Sequence, residues 1–341
     1  MNRAKLPIQL ALVALLCTPA IACAAPGASE PVEQGQQAPS HWTRDFPLTD
    51  FTKASIPWTD ISEGGPGKDG IRSIDAPRFI TASQHYPIEL GPNEPVISFS
   101  HGGEARAYPL RVMIRHEIVN DQVGQLPIAV TYCPLCDSAV VFDRRLDGRT
   151  LDFGTTGKLR HSDLVMYDRQ TESWWQQFVG EAMVGTYTRR ELQMLPSRVE
   201  SVSIFRQRFP NGKILLPAVA ADDFYNNPYA NYDGRDRPYP FFTGDLPQDI
   251  EPMARVVAVG EKAWSLRALA RRGRIEQDGL ILSWSSGQNS ALDARDISRG
   301  RDIGNVTVQR RTAEGLEDVP YDVTFAFAFF AFRPKGKIID R

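Results

Sequence analysis

From Ile128 to Phe332 the apolar residues fall in short runs, and turn residues close each of them. The runs are Ile128 to Tyr132, Ala139 to Phe142, Thr150 to Phe153, Leu164 to Tyr167, Arg255 to Val259, Leu280 to Trp284, Val306 to Gln309 and Val323 to Phe332. Runs of this length, alternating or continuously apolar, read as strands. Asp147-Gly148 between two of them is a two-residue hairpin signal. Helix signals are fewer. Pro109 is placed to open a helix through Arg115, and Glu200-Ser201 begins another that stops near Pro210-Asn211-Gly212. A third runs from about Ser265 to Arg272, with Gly273 placed to end it. The expected fold class is a β-rich α+β protein, mainly antiparallel sheets with a few short helices, in a single domain over 61–341. A crowded stretch of Asn, Tyr, Pro and Gly from Asp222 to Thr243 reads as a long ordered loop of the kind that flanks sites.

The N-terminus carries an address. Asn2-Arg3-Ala4-Lys5 is a basic start, Leu6 to Leu16 is apolar, and small residues follow. The run falls short of the roughly 20 residues that a spanning helix needs. Residues 1–22 therefore read as a secretory signal peptide, either of the ordinary kind or of the lipoprotein kind, in which Cys23 becomes the lipidated first residue. Residues 23–60 read as a flexible tether and lead-in loop, rich at first in Ala, Pro, Gly, Gln and Ser, then polar and punctuated by Gly64-Gly65-Pro66-Gly67 just beyond. The expected location is the periplasm, with membrane contact only through an anchor at Cys23. With 39 Lys+Arg against 41 Asp+Glu, the chain lacks the basic excess of a nucleic-acid binder.

Export settles the cysteine arithmetic. Cys17 lies in the signal and Cys23 is removed or acylated, so the folded part keeps only Cys133 and Cys136. A single close pair is used locally, as a disulfide, a metal clip or a redox couple. In Cys133-Pro134-Leu135-Cys136 the residues that follow look like a strand rather than a helix, which favours a metal knuckle or a static disulfide over a thioredoxin-type site. Zinc wants three or four protein ligands, and copper accepts Cys together with His. The expected additional ligands are His116, one loop before the strand that enters Cys133, and then His161; helix capping is the competing role for His116. His101, in Ser100-His101-Gly102-Gly103, reads as a turn residue.

A second cluster spans Asp163 to Gln177. Asp168 to Ser173 has turn composition, and the adjacent Trp174 and Trp175 must face opposite sides of a strand. One fills the core; the other covers a loop, a partner or a ligand, so Asp168, Trp175 and Gln176 are candidate binding residues beside a mainly structural role.

Taken in order, Gly103 to Leu110, His116-Glu117-Ile118-Val119-Asn120-Asp121, Val130 to Cys136, Ser162 to Asp168 and Thr171 to Gln177 resemble the prokaryotic family of unknown function numbered 3179, over about Asp69 to Pro334. The resemblance implies that Cys133, Cys136 and His116 belong to one site. The family often has a His in a C-terminal Phe-x-Pro segment; here that segment is Phe332-Arg333-Pro334, and an Arg cannot ligate a metal. Three functions stay open. The leading one is a copper or zinc site on Cys133, Cys136, His116 and His161, with Glu117 or Asp121 orienting the imidazole. The second is a metal-free thiol-disulfide redox protein. The third is a surface binding module stapled by a disulfide.

Overall fold

A computed structural model describes Met1 and residues 37–85, 90–217 and 226–340. The signal peptide, Cys23 and the first part of the expected tether lie outside the described residues, as does the start of the Asp222 to Thr243 loop. Among the described residues no helix is long and apolar enough to cross a membrane.

Among the described residues the protein is β-rich, with five sheets of four or five strands. Two of these sheets build the site. In the first, Ile61–Glu63, Phe153–Arg160, Asp163–Asp168, Trp174–Gln176 and Ala182–Val184 pair in that order. In the second the order is Met194–Leu195, Ser138–Asp143, Leu126–Cys133, Ile118–Val123. All their pairings are antiparallel, as short strands joined by tight turns require. A third sheet is built round the hairpin Pro95–His101/Glu104–Pro109, and a fourth holds Arg255–Val259 between Asp322–Phe325 and Lys262–Ser265. The fifth is the meander from Arg274 to Asp318. Parallel pairing occurs where Lys213–Leu215 meets Glu104–Pro109 and where Lys337–Ile339 meets Lys262–Ser265.

Among the described residues five short helices pack on the sheets: α1 Ser40–Asp45, α2 Leu110–His116, α3 Val202–Arg208, α4 Leu266–Arg272 and α5 Ala326–Phe332. The local signals for three of them hold. Pro109 immediately precedes α2, while Ser201 and Ser265 accept from Ile204 N and Ala268 N at the starts of α3 and α4. Gly273, at φ 68°, ends α4 in the left-handed conformation that glycine adopts without strain.

The structure differs from expectation at both ends of the described chain. Residues 40–60 are not a loose lead-in, because α1 buries Trp42 and the following turn buries Phe46, both against the edge of Trp174. The expected strand from Val323 to Phe332 stops at Phe325 and becomes α5. Alternating Phe and Ala satisfies either period. Tertiary partners decide it: Ala254 O accepts from Ala326 N and Pro252 O from Phe327 N, so donors that a helix start leaves unpaired are satisfied by a neighbouring loop. The Thr150 to Phe153 run is also divided, into the hairpin strand Arg149–Thr150 and the long strand Phe153–Arg160. Trp174 and Trp175 do face opposite ways, and both are fully buried, Trp174 under the N-terminal segment and Trp175 in the main core.

Candidate metal centre

Strand Leu126–Cys133 and strand Ser138–Asp143 form a hairpin whose connection is Pro134-Leu135-Cys136-Asp137. Cys136 N donates to Cys133 O at 3.2 Å, closing the turn so that both thiols lie on one side. The turn is fixed from outside. Tyr232 OH donates to Leu135 O at 2.9 Å, and Thr324 Oγ1 donates to Cys136 O at 2.7 Å. Asp137 completes the turn with φ 53°, a left-handed conformation uncommon for a non-glycine residue. Its carboxylate is anchored there, accepting from Tyr132 OH at 2.9 Å and from Arg255 Nε at 2.6 Å.

A second hairpin brings the third donor. Phe153–Arg160 and Asp163–Asp168 are joined by His161 and Ser162, at φ 50° and 67°, the left-handed pair that a tight two-residue hairpin turn demands. Asp163 opens the outgoing strand with its side chain fully buried. The two thiol sulfurs and a carboxylate oxygen of Asp163 lie within 4.8 Å of one another. Cys133 Sγ also points at Ser162 O, 3.6 Å away. Asp163 Oδ2 accepts from Gln176 Nε2 at 2.5 Å and from Phe178 N at 2.9 Å, whereas Oδ1 is buried with no hydrogen-bond partner among the described residues.

Electrostatics mark the centre as one that dislikes bare charge. Burial pushes the Cys133 thiol up and the Cys136 thiol well up, with Asp163 adding to both. Burial raises Asp163 to about 6, Asp322 to about 7 and Glu117 to about 8, the last two helped by the charge of Asp163. Tyr229 is pushed up by burial and by the charges of Glu117 and Cys133. Among the described residues, Ser162 Oγ and Asp163 Oδ1 are buried on these segments without a hydrogen-bond partner, and native interiors leave few such atoms unsatisfied.

The sequence-derived site residues separate into two groups. Cys133 and Cys136 are together, as free thiols, so the expected disulfide staple is absent among the described residues. Gln176 touches the centre by holding Asp163, and Glu117 lies within its field. The imidazoles are not in the cluster. His116 Nδ1 donates to Arg72 O at 2.7 Å, and Nε2 is buried without a hydrogen-bond partner among the described residues. His161 supplies the turn backbone while its ring packs against Phe332 and Phe242. Asp121 is turned away, accepting from Tyr108 OH at 2.6 Å and from Arg106, and Asp168 accepts from Trp175 Nε1 at 2.9 Å and from Thr171 N at 2.7 Å to hold its own turn. The residue that sequence reasoning passed over is Asp163. Its signal was a carboxylate at the mouth of a continuously apolar strand, next to a Ser in a turn.

The description "protein of unknown function (DUF3179)" matches residues 68–336, most of the chain and all of this centre. The chain belongs to the DUF3179 family. No curated protein and no solved structure matches it. Within DUF3179 this chain thus presents two thiols and a carboxylate in one buried cluster, held by two hairpins from different sheets.

Proposed function

We propose that this DUF3179 protein is an exported metal-binding protein whose ion sits between Cys133, Cys136 and Asp163. The observation that carries the reading is the convergence of two sulfurs and a carboxylate oxygen within 4.8 Å inside the core. Of the two metals that the cysteines suggest, the oxygen donor favours zinc, which accepts mixed sulfur and carboxylate ligands, over copper(I), which prefers soft donors throughout. Gln176 and Phe178 N pin Asp163 Oδ2, so Oδ1 is the oxygen left to bind the ion. Glu117, whose side chain is uncommitted to any hydrogen bond among the described residues and protonated below about 8, is the group beside the centre able to give or take a proton. If a coordination position stays open to substrate, that proton transfer is the catalytic use such a centre supports.

A metal-free thiol-disulfide role fits less well. Exchange needs an accessible thiolate, and here both thiols are buried and held protonated. Export rests on the basic start, the apolar run and the small residues before Ala24, and it accounts for a lone cysteine pair only if an ion or burial protects it from oxidation.

Elemental analysis of the purified full chain, with a thiol count after denaturation under anaerobic conditions, tests the reading. The expected result is one zinc per chain, lost in Cys136→Ser and much reduced in Asp163→Ala. Absence of every transition metal from protein grown with zinc and copper, together with a closed Cys133–Cys136 disulfide, would overturn it in favour of the redox role.

A further inference from the structure

The turn that carries the two thiols does not hold itself. Its internal hydrogen bonds, Cys136 N to Cys133 O at 3.2 Å and Asp137 N to Pro134 O at 3.3 Å, are both longer than the usual separation of about 2.9–3.0 Å. The peptide units around Cys136 are therefore steadied from outside. The Cys136–Asp137 unit has two outside donors, since Thr324 Oγ1 and Phe325 N reach Cys136 O at 2.7 and 3.1 Å. The Leu135–Cys136 unit has one. Tyr232 OH donates to Leu135 O at 2.9 Å, and no other donor reaches that oxygen among the described residues.

Tyr232 is fixed independently of the bond that it makes. It is fully buried, its ring stacks on Tyr239 with centroids 4.5 Å apart, and it meets Phe325 edge-on at 5.8 Å. Its amide donates to Leu292 O at 3.0 Å, and Asn231 before it takes φ 62°, a conformation that asparagine tolerates. The residue after it continues the grip. Asp233 Oδ2 accepts from Arg255 Nη1 at 2.9 Å, and Arg255 Nε holds Asp137 at the end of the turn. One short segment of the long loop thus grips the turn twice, at Leu135 directly and at Asp137 through Arg255. A swing of the Leu135–Cys136 peptide changes φ of Cys136 and with it the direction of the Cα–Cβ bond that carries the thiol.

We infer that Tyr232 is a positioning residue of the metal centre, its hydroxyl aiming the Cys136 thiol through the Leu135–Cys136 peptide. Groups that orient ligands without touching the ion set its affinity by about 10–100-fold. That consequence for affinity rests on the metal reading; the aim of the thiol does not.

Two variants of the full chain test it. Tyr232→Phe keeps the ring and removes the hydroxyl, while Thr324→Val removes a hydroxyl from the same turn but leaves Phe325 N on Cys136 O. The zinc Kd from chelator competition should weaken about tenfold or more in Tyr232→Phe and less than about threefold in Thr324→Val, and the absorption bands of bound cobalt(II) should shift only in Tyr232→Phe. In chelator-treated protein, hydrogen exchange of the Cys136 amide should speed about tenfold or more in Tyr232→Phe and stay at the parent's rate in Thr324→Val. A parental zinc Kd and cobalt spectrum in Tyr232→Phe, or equal losses in the two variants, would overturn the assignment. A parent that binds neither zinc nor cobalt sinks the metal reading alone; amide exchange then decides, and unchanged protection of Cys136 in Tyr232→Phe rules out the positioning role.

Discussion

At the scale of single residues, the side chain that sets the geometry of the centre is Gln176, which no sulfur touches. Its amide pins one oxygen of Asp163 at 2.5 Å and leaves the other free. Removing a group that orients a ligand lowers metal affinity by about 10–100-fold without removing a donor. Gln176→Leu should accordingly keep its fold and thiol count while its zinc Kd weakens by about that range, and Gln176→Glu, which can donate to the Asp163 carboxylate only while it is itself protonated, should weaken it more at pH 8 than at pH 6. A competition titration with a chromophoric chelator reads both; an unchanged Kd in Gln176→Leu would show that Asp163 is not a ligand. How far these roles were legible depends on range. The two sulfurs are three residues apart and declared themselves. Asp163 lies far along the chain, and only the folding of two hairpins against each other makes it the third donor. His116 carried the right chemistry and sits in the family's motif, yet its ring is fixed by Arg72 O and not by the sulfurs.

At the scale of elements, the site depends on two tight turns that hold backbone strain. His161 and Ser162 both sit at positive φ, where a side chain meets its own carbonyl at a cost of roughly 1–2 kcal/mol each. Ser162 is the better place to relieve it, because its buried hydroxyl has no partner among the described residues and its useful contact, the carbonyl facing Cys133 Sγ, belongs to the backbone. Ser162→Gly is expected to raise stability by about 1 kcal/mol in urea melts and to leave zinc affinity unchanged. A loss of stability would mean that the hydroxyl is satisfied by something in the centre. The strand before this turn carries the reverse constraint. Gly157 lies in its bulge at φ 74°, and a Cβ there would meet Pro66 O at 1.9 Å. Gly157→Ala should therefore cost more than about 2 kcal/mol, measured in the same melts, and lower the zinc content of the recovered protein. These turns also show what local pattern could supply. Asp147-Gly148 was readable because both residues are typical of such turns and both adopt positive φ. His161 was readable as a turn residue, but the left-handed conformation of Ser162 was not, since serine does not favour it and the sheet imposes it. The same holds for α5, whose Phe and Ala residues gain helix geometry from the distant carbonyls of Pro252 and Ala254.

At the scale of the whole molecule, three buried carboxyls make folding and proton uptake one equilibrium. Unfolded, Asp163 and Asp322 titrate near 3.8 and Glu117 near 4.5; folded, they titrate near 6, 7 and 8. A carboxyl raised on folding holds its proton more tightly in the native state, so over the interval between its two values the native state binds more protons than the unfolded one. The stability that these three groups contribute to the metal-free protein is then highest below about pH 4, falls as pH rises from about 4 to about 8, and stays at its lower level above. Glu117 contributes the upper part of that fall, and each tenfold tightening of its hold on the proton corresponds to about 1.4 kcal/mol. Glu117→Gln is neutral at every pH, so it should melt several degrees above the parent at pH 8 and close to it at pH 4, as read by calorimetry on chelator-treated protein. A divalent ion reverses the slope, because it binds thiolates and carboxylate and displaces their protons. Zinc should thus raise the melting temperature far more at pH 8 than at pH 5, and the two curves should approach each other on acidification. Equal stabilisation by zinc at both pH values would mean that the ion binds groups already ionised at the surface, and not the protonated core of Cys133, Cys136 and Asp163.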